Sequence, residues 1–136
     1  MRILVAEDDQ ASLDLVQSYL VSKGYEVAVA LDGNSALTMG ASGEFDLLIL
    51  DMHMPVYGGL EVLQMLRKRL PLHPMKVIAL TADTRWALRE EMQRDGVDGY
   101  LIKPVSLSQL GKELTRLLAS QKPATSPLSP RWEPFP

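Results

Sequence analysis

Six polar residues stand directly after short apolar runs in this chain. Glu7, Asp8 and Asp9 follow Ile3-Leu4-Val5-Ala6, Asp51 follows Leu47-Leu48-Ile49-Leu50, Thr81 follows Val77-Ile78-Ala79-Leu80, and Lys103 follows Tyr100-Leu101-Ile102. Taken singly they are ordinary, and an aspartate such as Asp51 after an apolar run more often caps the next helix or opens a turn. Taken together they define a chemistry. Carboxylates held close raise one another's pKa unless a cation neutralises them. Hard oxygen ligands, with no partnering imidazole or thiolate, select Mg2+ or Mn2+, and Mg2+ keeps several waters while binding a few carboxylates and a phosphoryl oxygen. A carboxylate beside such a cation and a lysine suits nucleophilic attack on phosphorus, which gives an aspartyl-phosphate. Lys103 would then stabilise charge on the equatorial oxygens, and Thr81 would hydrogen-bond the same group. Ala82 is small and leaves room for a donor.

The elements that must gather these residues can be read from periodicity. Leu47–Leu50 is apolar at every position and bounded by Asp51, Pro55, Gly58 and Gly59, the pattern of a strand buried on both faces. Runs at 3–6, 26–30, 76–80 and 100–102 supply four more strands. Helices are expected over Gln10–Lys23 (Leu13, Val16, Leu20, with Asp9 or Gln10 at its start and Gly24 as its stop), from Asp32-Gly33 to about Ala41, over Gly59–Arg69, and over 84–94. A last helix opens on the Ser106/Gln109 capping-box pair and carries Leu107, Leu110, Leu114, Leu117 and Leu118. Five strands alternating with five helices imply an α/β fold, a parallel sheet covered on both faces by right-handed crossovers. All carboxyl ends of such a sheet share one edge, where ligands bind. The six polar residues therefore converge.

Composition excludes several alternatives. The chain has 136 residues, 46% hydrophobic and 23% charged, which suits one soluble domain. A net charge of −3 argues against sequence-independent nucleic-acid binding. With no cysteine there is neither a disulfide framework nor thiolate chemistry. No run approaches a membrane span, and a first strand starting at Arg2 leaves no room for a signal peptide, so a cytoplasmic location is expected. Residues 122–136 contain five prolines and no periodicity, which divides the chain into a domain over 1–120 and a Pro-rich linker or disordered tail over 121–136.

The acidic pair Asp8-Asp9, Asp51 with Met54-Pro55 and Gly59, Thr81-Ala82, Tyr100 and Lys103-Pro104 occur in order at the right strand ends. On these residues the chain resembles the receiver domain of two-component response regulators, like the chemotaxis regulators, over about residues 1–120. The resemblance implies a flavodoxin-like three-layer sandwich with strand order 2-1-3-4-5. It also implies phosphotransfer from a phosphohistidine, on a sensor histidine kinase or a histidine phosphotransfer protein, to Asp51. Asp8, Asp9, Asp51 and the backbone carbonyl of His53 would hold Mg2+, Asp51, Thr81 and Lys103 would carry the chemistry, and Lys103-Pro104 would be a cis peptide. Thr81 and Tyr100 would form a switch pair that repacks the face made by the helix at 84–94, the fifth strand and the last helix, a face that could also form a homodimer. His53 and Asp83 would tune the phosphate lifetime.

The chain departs from the family pattern at Gly58, where an aspartate is frequent, which leaves the loop conformation open. Such a domain is a switch, not an enzyme with an external substrate, and it binds neither nucleic acid nor membrane itself. A Mg2+-dependent phosphatase would carry its nucleophile on the first strand, and a nucleotide- or flavin-binding module would need a Gly- or Ser/Thr-rich loop there. A degenerate receiver would lack the intact acids, Thr81 and Lys103. His53 as an imidazole ligand lacks a second nitrogen or sulfur partner, His73 reads as a loop residue, and Met52 and Met54 read as packing. Trp86 is balanced between docking and core. The cognate kinase, the output and the oligomeric state are not encoded in any motif.

Overall fold

The computed structural model describes residues 1–69, 75–83, 90, 93–94 and 96–119. The loop expected at 71–74, most of the helix expected at 84–94, His73, Trp86 and the tail lie outside them; Glu90, Gln93 and Arg94 are helical. In chain order the elements are β1 (Arg2–Ala6), α1 (Gln10–Ser22), β2 (Glu26–Ala30), α2 (Gly33–Gly40), β3 (Leu47–Asp51), α3 (Gly59–Arg69), β4 (Lys76–Thr81), β5 (Gly99–Ile102) and α4 (Leu107–Ala119), the last helix. The strands form one parallel sheet in the order β2-β1-β3-β4-β5. The chain therefore has the doubly wound α/β fold read from its periodicity.

The apolar runs are continuous because alternate residues serve opposite faces. Leu4, Ala6, Leu48, Leu50, Val77 and Ala79 join Ala36 and Leu37 of α2 and Val62, Leu63 and Leu66 of α3 in one core. Ile3, Val5, Leu47, Ile49, Ile78 and Leu80 join Leu13, Val16 and Leu20 of α1 and Leu110, Leu114, Leu117 and Leu118 of α4 in the other. Full burial of each such Leu or Ile side chain contributes about 1.5–3 kcal/mol, so the central strands anchor the fold. The edge strands β2 and β5 are only partly buried.

Local signals set the helix ends that face the site. Asp9 caps α1, its side chain accepting the Ser12 N–H at 2.9 Å. Asp32 caps α2, accepting from Ser35 N–H at 2.7 Å. Ser106 Oγ accepts the Gln109 N–H at 3.3 Å at the start of α4. Each satisfies a backbone donor that the first helical turn leaves without a partner. At the opposite end of α1, Gly24 turns the chain with φ 90°.

Candidate phosphoacceptor site

Strand register builds the site. Ala6 pairs with Leu50, so Glu7 and Asp51 each lie one residue beyond the same rung. Asp51 pairs with Leu80 and Thr81 with Ile102, which puts Thr81 one step further along and Lys103 beyond that. Side-chain alternation then sorts them. Asp51 continues the parity of Leu47 and Ile49, and Lys103 that of Leu101, all on the α1/α4 side of the sheet. Thr81 continues the parity of Val77 and Ala79 on the other side. Lys103 reaches back over two rungs, and its Nζ lies 2.8 Å from Glu7 Oε1 and 3.2 Å from Asp51 Oδ2.

Among the described residues, Glu7, Asp51 and Thr81 are the polar or charged residues that are buried. Asp51 Oδ1 accepts the His53 N–H at 3.0 Å and Oδ2 accepts from Lys103. Glu7 Oε2 accepts the Asp9 N–H at 3.2 Å. Glu7 Oε1 is close to Lys103 Nζ but off its hydrogen-bonding directions, an ion pair that leaves this buried oxygen without a hydrogen-bond donor among the described residues. Burial, reinforced by the neighbouring Asp51 carboxylate and opposed by Lys103, pushes the Glu7 carboxyl up to about 7. For Lys103, burial would lower the pKa, but the ion pair with Glu7 and the charge of Asp51 outweigh it and raise it.

Carboxylate oxygens of Glu7, Asp8 and Asp51 lie within 4.8 Å of one another. Three hard oxygen donors, one of them buried and without a donor, fit Mg2+. Asp9, expected in this cluster, stands outside it. Its carboxylate is spent on the α1 cap, and the hydrogen bonds from Ser12 hold its pKa below the usual carboxylate range. Glu7 takes that corner instead, and helix-cap grammar was the signal that separates the two: a carboxylate one residue before a helix is claimed by the helix.

The remaining expected residues fall as follows. Thr81 Oγ1 accepts the Asp83 N–H at 2.9 Å. Tyr100 is half-buried against the core formed with α2 and α3. His53 is exposed beside Asp51, and Ala82 is exposed beside Thr81. The Lys103-Pro104 peptide is cis. Met52 is buried and Met54 partly buried, both in the core.

A doubly wound sheet with an acidic trio, a buried threonine and a lysine at its carboxyl edge defines a class, the open α/β proteins whose polar site lies at the carboxyl edge of a parallel sheet. Sequence comparison narrows it. The response regulator receiver domain family matches residues 3–115, and the chain belongs to that family, as a receiver domain of the response regulators of two-component systems. Response regulator MprA of Mycobacterium avium is 40% identical over 123 residues, which are 90% of this chain and 53% of MprA. The chain spans about half the length of the curated relatives it matches. Among solved structures, chemotaxis protein CheY4 of Vibrio cholerae superposes with a TM-score of 0.76 at 30% identity, covering 85% of this chain and 97% of that one. The receiver domain of sensor histidine kinase PA1611 from Pseudomonas aeruginosa, with a magnesium ion coordinated in its active-site cleft, gives 0.77 at 28% identity, covering 87% and 97%. Among the described residues no helix is long and apolar enough to cross a membrane.

Proposed function

We propose that Asp51 accepts a phosphoryl group from the phosphohistidine of a sensor histidine kinase or a histidine phosphotransfer protein. One observation carries this: Lys103 Nζ touches Asp51 and Glu7 at a sheet edge where a third carboxylate, Asp8, is open to solvent. A carboxylate oxygen of Asp51 attacks phosphorus, the P–N bond breaks, and its electron pair returns to the imidazole, which takes up a proton. Lys103 is placed to hold charge on the transferred oxygens. Thr81 turns its hydroxyl from the Asp83 N–H to donate to the phosphoryl group. The exposed neighbours Asp8, His53 and Ala82 mark the open side by which a donor approaches.

Asp8, Asp51 and the His53 carbonyl would hold Mg2+, with Glu7 in place of Asp9. Mg2+, when bound, neutralises the carboxylates and stabilises charge on the equatorial oxygens during transfer. The PA1611 receiver with its magnesium is the precedent.

The product adds about −1.5 to −2 charge at Asp51. Reorientation of Thr81 frees space for Tyr100 to move inward, which repacks the face of β5 and α4 and shifts a pre-existing equilibrium. That face serves an output partner or a second copy. The domain catalyses only its own phosphorylation and dephosphorylation, and His53 and Asp83 tune the lifetime. A cytoplasmic location follows from the kinase partnership.

The test is intact mass after incubation with Mg2+ and acetyl phosphate. The wild type should gain one phosphoryl group, lost with EDTA and in Asp51→Ala. No gain at saturating donor would sink the reading in favour of an interaction scaffold.

A further inference from the structure

The loop from β3 to α3 carries His53 beside Asp51 and is held from outside by α2. The Pro55 carbonyl accepts two N–H groups, from Tyr57 and from Gly33, each at 3.0 Å. The first closes a three-residue turn around Val56, whose φ is 73°. Positive φ is an outlier for a β-branched residue, and this turn form is strained. Val56 is 69% exposed, so packing of its own side chain does not offset that strain. The second contact comes from the first residue of α2, whose amide has no partner within its helix.

Gly33 approaches the turn more closely than any other residue type could. A Cβ there would overlap the Tyr57 carbonyl oxygen and lie 2.7 Å from Tyr57 Cβ and 2.8 Å from Tyr57 N. Two of these three are backbone atoms, which cannot swing aside as a side-chain tip could. One residue, Met54, separates the turn from His53, whose N–H fixes Asp51 Oδ1 at 3.0 Å. We propose that Gly33 is a positioning residue for the phosphoacceptor site. By letting the 55–57 backbone seat on the start of α2, it holds the strained turn and so sets the His53 backbone and the Asp51 carboxylate. The inference rests on the proposed function above. Mg2+ demands near-ideal octahedral geometry, so ligands displaced by a shifted loop lose affinity steeply.

The test compares wild type, Gly33→Ala, Val56→Gly and the double variant by Mg2+ titration calorimetry, thermal melting and phosphoryl uptake from acetyl phosphate. Gly33→Ala should weaken Mg2+ binding about tenfold or more, the range for residues that orient metal ligands, and slow phosphoryl uptake while its circular dichroism stays native. Val56→Gly should keep Mg2+ affinity and raise Tm. The double variant should recover most of the lost affinity, because a glycine turn can move off the new methyl group. Wild-type Mg2+ affinity in a folded Gly33→Ala protein overturns the proposal. If Gly33→Ala does not fold, Val56→Gly decides: a raised Tm supports a strained, held turn, and a lowered one overturns it. A wild type that neither binds Mg2+ nor takes up phosphate overturns the receiver chemistry itself, a result distinct from failure at Gly33.

Discussion

The interior of the sheet and its carboxyl edge are built from the same three strands and obey opposite rules. Within β1, β3 and β4, the residues Ile3 to Ala6, Leu47 to Leu50 and Val77 to Leu80 are apolar and completely inaccessible. One residue later the same backbones deliver Glu7, Asp51 and Thr81, all buried and all polar. Local consistency gives a fold its stability, and natural chains break it where a site demands otherwise. Here the break is abrupt, and it falls on one edge. Burying carboxylates beside one another costs stability unless a cation offsets them; Lys103 offsets part, and a divalent ion, on the function proposed above, would offset the remainder.

The largest expected effect lies in the interior. Leu48→Ala removes a side chain enclosed by Leu4, Leu50, Val77 and the α2/α3 core, and should cost about 2–5 kcal/mol, read as a fall in the denaturation midpoint. Phosphoryl uptake measured well below the melting temperature should persist. A comparable loss of uptake in the folded variant would mean that interior and edge are not separable.

Glu7 tests the edge at intermediate size. In the folded chain its carboxyl keeps its proton up to about 7, whereas its ordinary value is 4.5. Between those values the folded state binds more protons than the unfolded chain, so metal-free stability falls as pH rises through the window. The full shift corresponds to at most about 3 kcal/mol. In EDTA, wild type should lose stability relative to Glu7→Gln as pH climbs from 4.5 to about 7, and the difference should level off above that. A pH-independent difference would show that Glu7 is ionised throughout and that Lys103 alone satisfies it.

How far the sequence prescribes this architecture follows from the same contrast. Apolar runs of four residues, bounded by turn residues, specify the central strands, because burial on both faces leaves little freedom in composition. Helices α1, α2 and α3 begin and end within a residue or two of the bounds read from periodicity, and strand-end logic places Asp51, Thr81 and Lys103 at the same sheet edge. The acidic cluster departs from the expected one at a single side chain. Asp9 is a plausible ligand and a good helix cap, and the cap takes it, while Glu7 fills the cluster through its rung beside Asp51. Nor does the sequence announce the turn at Val56, since nothing about a valine predicts positive φ; only the approach of Gly33 from a separate element explains it.

The smallest effects separate the two neighbouring aspartates, and they run in opposite directions. Asp9→Ala removes the acceptor for the Ser12 N–H and should lower Tm by roughly 2–5 °C, the usual consequence of losing a helix cap in a domain of this size. Because its pKa is held below 3.8 in the folded chain, this contribution is present above that pH and is lost as pH falls through the lowered value. Mg2+ affinity should be unchanged. Asp8→Asn removes a negative charge from the crowded edge while leaving the cap intact. Metal-free stability should stay level or rise by a few tenths of a kcal/mol, roughly what relief of like-charge repulsion yields at an exposed position, while Mg2+ binding should collapse. Calorimetric titration and thermal melting of the two variants in parallel therefore give a crossed pattern: one loses stability and keeps the ion, the other keeps stability and loses the ion. The reverse pattern would return the ligand to Asp9 and require α1 to begin one turn later when the ion is bound, which would make the boundary between scaffold and site a movable one.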